Sequence, residues 1–282
     1  MESNELKNHV KMHWNKYPMD YDHIKSKKNS KDYYSEINNQ FASVCYFGQK
    51  KNQRIFSSLI PHKNLKNKKV LIIGCGMGTL TKEFVMRGAN VTAVDLTKTA
   101  VNNTKRQLKI SKLIGKTLVA DAENLPFKEK SFDFIWSWGV IHHTPDTQKA
   151  AKEIYRVLKT GGESRIMVYH KNSLFYKVIL IGIRGIFLGE LFKNKRKNLL
   201  NKYTDHSTVG GTPLAKCYTK KEAKRLFSKF KKIKFETYGV KNEVTFIPLF
   251  REKLHKLIPD WFFNLILSKL NLGWYLFIKL KK

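Results

Sequence analysis

Acidic side chains are scarce in this 282-residue chain: 22 Asp and Glu stand against 54 Lys and Arg, a formal net charge of +32. Arginine is scarce as well, since nine of the 54 basic residues are Arg and 45 are Lys. Two readings stand side by side. One is a genome-wide bias toward Lys, Asn and Ile codons. The other is attraction to a polyanion, either a nucleic acid or an anionic lipid surface. Residues 171–282 carry 25 Lys/Arg and 7 Asp/Glu, net +18, and the first 170 residues hold the remaining +14. Cysteine is nearly absent. Cys45, Cys75 and Cys217 form no pair at metal or redox spacing. An odd count without a framework excludes a disulfide scaffold and suggests a reducing, cytoplasmic compartment. Long apolar runs are missing too. The longest apolar region, Leu174–Phe192, is interrupted by Lys177, Arg184 and Glu190, short of the ~18 uncharged residues a spanning helix needs. The polar opening "MESNELKNHVKMHW" shows no signal peptide. A cytoplasmic protein is expected, able to rest on a membrane face. There is no internal repeat and no low-complexity linker.

What is present is an alternation. From Lys69 onward "KVLIIG", "NVTAVDLT", "KTLVADAENLPF", "FDFIWSWGV" and "ESRIMVYH" read as strands. Between them lie the helices "TLTKEFVMRG", "KTAVNNTKRQLKIS" and "DTQKAAKEIYRVLKTGG", the last capped by Asp146 and stopped at Gly161–Gly162. Strands alternating with helices of this length imply a parallel sheet covered on both faces, and right-handed crossovers make it doubly wound. "TKKEAKRLFSKFKKIKFETYGV" adds a helix and a sixth strand, and "GWYLFIKLKK" a last one. The expected fold is an α/β, seven-stranded, mostly parallel sheet whose last strand is antiparallel. Residues 1–65 form a cover, with "DYYSEINNQF" opening a helix that runs to about Leu59. Residues 66–282 form the main domain, with insertions at about 171–217 and 243–271.

"VLIIGCGMGT" (Val70–Thr79) places Gly74, Gly76 and Gly78 directly after the first strand, where open α/β sheets bind ligands. It reads as a sharp structural turn or as a loop whose backbone approaches a ligand. Asp95 ends the second strand, 21 residues after Gly74. It is suited to accept both hydroxyls of a ribose; capping the next helix is the other reading. The spacing is G-x-G-x-G, with Thr79 where a dinucleotide fingerprint has its third glycine, and no Gly-Lys-Ser/Thr follows. The loop fits an adenosine without a pyrophosphate.

These motifs, in this order, resemble the class I S-adenosylmethionine-dependent methyltransferases, in their broad small-molecule branch. "LIIGCGMGT", "VTAVD", "ADAENLPF", "FDFIWSWGVIHHTPD" and "EIYRVLKTGGESRIMV" carry the resemblance from Val70 to about His170. The N-terminal "HWNKYP" and "DYYSEI" look like a cover segment found in part of that branch. The resemblance implies S-adenosyl-L-methionine as cofactor, held by Gly74, Cys75, Gly76, Gly78, Asp95, Leu96, Asp121, Ala122 and Trp138. Asp95 would take the ribose, Asp121 the adenine amino group, and Ala122 would offer its backbone amide. One departure stands out: the family carries Asp or Glu two residues before the first glycine, and this chain has Ile72. That residue raises the alternative of a catalytically silent relative.

Methyl transfer depends on alignment and exclusion of water, with a base for some acceptors. His142 and His143 follow the fourth strand and His170 ends the fifth, which makes all three candidate bases. The histidine pair reads equally as loop scaffolding, and Tyr169 as core. Trp14, Tyr17, Tyr33 and Tyr34 read as a cofactor cover or a packed helix face. No metal site is expected. The expected acceptor is a small or lipid-like molecule, because Leu174–Phe192 and Trp261–Leu270 are apolar and flanked by basic residues. Peripheral contact with an anionic membrane goes with it. Nucleic acid is the weaker partner. The fourth strand lacks the Asn/Asp-Pro-Pro-aromatic motif of amino-methylating enzymes, and no cysteine neighbours a proline; an RNA methyltransferase stays as the alternative. His206–Thr219 reads as a flexible loop suited to be a substrate lid.

Overall fold

A computed structural model describes residues 3–18, 24–45, 55–61, 65–193, 196–205, 209–239 and 260–282. Its centre is one sheet. The strands are β1 (Lys69–Ile73), β2 (Asn90–Asp95), β3 (Lys116–Val119), β4 (Phe132–Trp138), β5 (Leu158–His170), β6 (Cys217–Tyr218), β7 (Lys232–Tyr238) and β8 (Tyr275–Lys281). Their order is β3-β2-β1-β4-β5-β8-β7, with β6 lying against the end of β5. The expected seven strands are the seven of this path. The eighth is the two-residue β6, too short to leave a signal in the sequence. β8 runs antiparallel to both neighbours, β5 and β7, and the pairs from β3 through β5 are parallel.

The β1 sequence explains its place. Side chains alternate across a strand. Leu71 and Ile73 enter one core with Ile135, Ile166 and Ile278. Val70 and Ile72 enter the other with Phe84, Phe134, Trp136 and Phe277. A strand buried on both faces has to be apolar throughout, as "VLII" is. Helices α3 (Thr79–Val85) and α4 (Lys98–Ile110) cover the second face. Helices α5 (Thr147–Val157) and α8 (Lys220–Leu226) cover the first. Ala150, Ile154 and Val157 mark one stripe of α5 at helical spacing, and all are buried. Trp136, Phe84 and Phe277 are fully buried and in mutual ring contact with Trp136. Burial of side chains this size contributes on the order of 1.5–3 kcal/mol each.

Caps follow the sequence in part. Asp146 accepts the Lys149 amide at 2.9 Å, as its position suggests. Thr219 and Glu222 form a reciprocal capping box on α8. Helix α5, however, ends at Val157 and not at Gly161–Gly162. Leu158 already pairs with Phe132, so the helix gives way to the strand before the glycines are reached. Gly161 (φ 77°) serves a turn inside the strand.

Helices α1 (Ser3–Lys16) and α2 (Lys31–Val44) precede the sheet. α2 ends at Val44 and does not continue to Leu59 as one helix: Cys45 closes it, and residues 46–54 lie outside the described residues. Between β5 and β6 comes a wide π-helix, Phe175–Phe187, then α6 (Glu190–Lys193) and α7 (Arg196–Tyr203). α9 (Asp260–Lys269) precedes β8. Most of the expected 243–271 insertion lies outside the described residues. No helix among the described residues is long and apolar enough to cross a membrane.

Candidate functional site

A cavity of about 480 Å³ opens at the carboxyl ends of β1, β2, β4 and β5. One half of it is cut from the glycine loop and the ends of β2 and β3. Gly74, Gly76, Asp95, Leu96, Asp121, Ala122 and Trp138 line it. Cys75 and Gly78 do not.

Four of the loop's amides are spent internally. Gly74 and Cys75 both donate to the Val94 carbonyl, at 2.8 and 3.1 Å, and Gly78 donates to Cys75 O at 2.9 Å. The Gly76 amide donates to Asp95 Oδ2 at 3.2 Å. These four amides are not free to cradle a pyrophosphate. The glycines answer to protein packing. A Cβ on Gly74 would lie 2.0 Å from Val140 Cγ2; one on Gly78 would lie 2.7 Å from Gln107 Oε1 and 2.9 Å from Thr104 Cα. Both residues have left-handed backbones, φ 79° and 88°.

Asp95 is held on both oxygens. Oδ1 accepts the Thr97 amide at 3.0 Å and the Thr97 hydroxyl at 2.9 Å, while Oδ2 takes Gly76. Burial raises its pKa, and the hydrogen bonds from Thr97 and Gly76 oppose that rise. Asp95 does not cap α4; Thr97 does, accepting the Ala100 amide. Asp121 is paired. Its Oδ2 accepts Lys7 Nζ at 2.7 Å, and Lys7 also reaches the buried Glu123 at 2.5 Å. Partial burial works against the Lys7 charge, but the two carboxylates outweigh it and raise its pKa. Lys7 on α1 thus bolts the cover to the far wall of the cavity. Nothing in its sequence context marks it.

The other half of the cavity is aromatic. Trp14, Tyr169, Phe175, Tyr203, Trp274 and Tyr275 line it, together with His143 and Asp205. Tyr169 stacks on Trp274 (4.3 Å between centroids), and Trp274 meets Phe175 edge-on at 4.9 Å. Trp14 meets the His143 ring at 5.1 Å.

The three candidate histidines separate. His143 lines the cavity. Its Nδ1 is 2.6 Å from the Leu214 carbonyl and its Nε2 3.3 Å from Asp205 Oδ2. His142, one step round the same turn (Ile141–His143), is fully buried and off the cavity wall. It packs on Tyr169 at 4.1 Å. Burial and the nearby His143 charge hold its pKa well below the ordinary value. His170 also misses the cavity. Met167 and Tyr169 point into it, so strand alternation turns Val168 and His170 to the opposite face. His170 is buried there, with Nδ1 3.1 Å from Gly273 O, and burial lowers its pKa. Tyr169, read from sequence as core, faces the cavity and donates to Asp205 Oδ2 at 2.5 Å. Asp205 escapes sequence reasoning altogether, because "YTDHST" has no periodicity or motif around it.

Of the aromatic cover candidates, Trp14 lines the cavity, while Tyr34 packs with Ile37 and Met77 away from it. Ile72 sits on the β1 face opposite Trp136, 1% exposed, inside the second core. The expected lid is tied down where it is described. Lys216 Nζ reaches the carbonyls of Thr144 and Pro145 at 2.9 and 2.7 Å, and Asn201 Oδ1 accepts the Ala215 amide at 2.8 Å. Residues 206–208 lie outside the described residues.

Known proteins bear on this arrangement. Residues 71–166 match a methyltransferase-domain family. A ubiquinone biosynthesis O-methyltransferase of Pseudomonas putida is 31% identical over 135 residues, covering 44% of this chain and 53% of that protein. The one from Coxiella burnetii is 29% identical over 123 residues, with the same coverage. The chain thus spans about half the length of the curated relatives it matches. Among solved structures, a SAM-dependent methyltransferase of Thermotoga maritima shares 19% identity at a TM-score of 0.52, covering 88% of this chain and 95% of its own. One from Methanosarcina mazei also shares 19% at 0.52, covering 79% and 98%. These likenesses carry the fold. Residues 71–166 thus carry the likeness of a methyltransferase domain, and the sheet order and cavity position are those of the class I S-adenosylmethionine-dependent methyltransferase fold.

Proposed function

We propose that the protein transfers the methyl group of S-adenosyl-L-methionine to a small or lipid-linked acceptor bound in the aromatic half of the cavity. One observation carries this reading: a single cavity joins the glycine-loop wall to a chamber of six aromatic side chains. Its volume, about 480 Å³, falls in the ordinary range for small-molecule sites. Asp95 Oδ2 keeps a lone pair for a ribose hydroxyl, Leu96 and Ala122 offer an apolar strip for a purine, and Asp121 can share its carboxylate between Lys7 and an exocyclic amine. Bound there, the cofactor supplies a sulfonium methyl whose departure leaves a neutral thioether, so no acid is needed for the leaving group. The chain's own contribution is alignment and exclusion of water, from α1 on one side and the 171–217 segment on the other.

The named relatives act in ubiquinone biosynthesis, and an acceptor with an aromatic head and a lipid tail suits an aromatic chamber. A membrane face fits the same reading. Phe187 (84% exposed) and Phe192 (86% exposed) project from the 171–217 segment among Lys177, Arg184 and Lys193, and the same segment supplies Phe175 and Tyr203 to the cavity.

The test is methyl-labelled cofactor incubated with the protein and a cell extract, followed by separation of lipid, small-molecule and RNA fractions. Label is expected in the lipid or small-molecule fraction. Label in RNA, with binding that weakens steeply with salt, would overturn the acceptor assignment. Absence of cofactor binding at millimolar concentration, read by calorimetry, would leave a silent relative. Asp95→Ala is expected to weaken cofactor binding by about 100-fold, since a charge-assisted diol contact and the loop anchor are lost together.

A further inference from the structure

Both partners of His143 come from one distant stretch. Leu214 O and Asp205 Oδ2 both belong to the segment between β5 and β6, 71 and 62 residues downstream. Both are acceptors. With Nδ1 against Leu214 O and Nε2 against Asp205, both ring nitrogens face protein oxygens. The histidine that sequence reasoning puts forward as a base is thus occupied on both nitrogens. What it holds is a carboxylate at the cavity wall, which also takes the Tyr169 hydroxyl.

We propose that Asp205 is the catalytic base toward the methyl acceptor, with His143 and Tyr169 as its positioning residues. This rests on the methyl-transfer reading above. The acceptor it implies is a protic nucleophile, a hydroxyl or an amine still bearing hydrogen, on an aromatic or apolar body. When the acceptor heteroatom forms its new bond to the methyl carbon, the carbon–sulfur bond breaks and the acceptor's proton passes to Asp205. It passes directly, or through Tyr169 with the phenol's own proton moving to the carboxylate. Solvent then takes it from Asp205. A carboxylate alone in an aromatic wall would be a costly charge. Here the Tyr169 hydroxyl donates to it and the His143 ring lies against it.

The supporting scaffold is rigid. Tyr203 donates to Glu190 at 2.8 Å and lies under the Arg184 guanidinium at 3.8 Å. Gly211 (φ 90°) lets the returning chain lie against α7, where a Cβ would meet Asn201 O at 2.1 Å. Asp205 is thus delivered to the cavity by a folded platform. The groups facing its carboxylate are His143 and His142 from the turn after β4 and Tyr169 from β5. Burial pushes the Asp205 pKa up, but the His143 and Tyr169 contacts overcome it and hold it at about 2. The sign follows. The pair stabilises the fold fully above the unfolded value near 3.8, and that contribution is lost as pH falls toward about 2.

The experiment measures methyl transfer with labelled cofactor and the total lipid and small-molecule extract of cells, alongside cofactor calorimetry. Asp205→Asn, which keeps the shape and removes the base, is expected to cut transfer about 100-fold or more with cofactor affinity within about threefold. Tyr169→Phe should cost about tenfold. His143→Gln removes the ring that lies against the carboxylate, and should lower kcat about tenfold with KM and cofactor affinity within about threefold. Transfer by Asp205→Asn within threefold of the unaltered protein overturns the proposal. So does a Tyr169→Phe variant within twofold of the unaltered protein, and that readout decides the matter if Asp205→Asn fails to fold. A protein that binds cofactor and labels nothing sinks the methyl-transfer reading and leaves the Asp205–His143 pair as structure; that outcome overturns the base assignment too.

Discussion

The half of the cavity proposed for the cofactor is made mainly of backbone, and the half proposed for the acceptor of side chains from widely separated segments. In the first, one loop and two strand ends within residues 74–122 supply the wall, and the loop amides of Gly74, Cys75 and Gly78 are fixed by bonds inside the protein. In the second, Trp14, His143, Tyr169, Asp205 and Trp274 converge from five places along the chain. A wall built from contiguous backbone leaves a motif in the sequence. A wall built from convergent side chains leaves isolated residues that no spacing connects. The same contrast separates a half that only glycine and a buried hydrophobe can build from one that depends on a platform far along the chain.

The sharpest way to break the comparison is at Ile72. If the family's acid were simply missing from a site prepared for it, Ile72→Asp would be tolerated and would tighten cofactor binding. The buried position opposite Trp136 predicts the reverse: a loss of about 4 kcal/mol or more in denaturant unfolding, from an unpaired charge in an apolar core. Next comes Gly74→Ala. Its Cβ would overlap Val140 and force a left-handed backbone on alanine, with an expected loss on the order of 2–4 kcal/mol. Adding Val140→Ala should recover the steric part and leave the backbone part, which thermal melts of the single and double variants will resolve.

Lys7→Met tests whether the cover is held by charge. About 1 kcal/mol of stability should be lost, because the buried Glu123 and the Asp121 carboxylate are left without their cation. Cofactor affinity should change by less than about fivefold, far below the effect of Asp95→Ala. Smallest in stability is Phe187→Ser with Phe192→Ser, both exposed, expected within about 0.5 kcal/mol of the unaltered protein. Co-sedimentation with phosphatidylglycerol vesicles should nevertheless fall about tenfold, since two apolar anchors are removed. Unchanged sedimentation would assign the membrane affinity to charge alone.

The sequence by itself determined the sheet and the place of the cavity. "VLII" had to be buried on both faces, the strand–helix alternation had to wind a parallel sheet, and three glycines after β1 had to mark its mouth. Its glycine spacing departs from that of a pyrophosphate loop, and in the structure the amides of Gly74, Cys75, Gly76 and Gly78 are already bonded. Only the tertiary structure decided which histidine faces the cavity. A turn of three residues sends His142 inward and His143 to the wall, and strand alternation sends His170 to the other face. Only the tertiary structure could pair Lys7 with Asp121, or bring Asp205 and Leu214 to His143. Local periodicity records which face a residue takes within its own element. It holds no record of which distant element that face will meet.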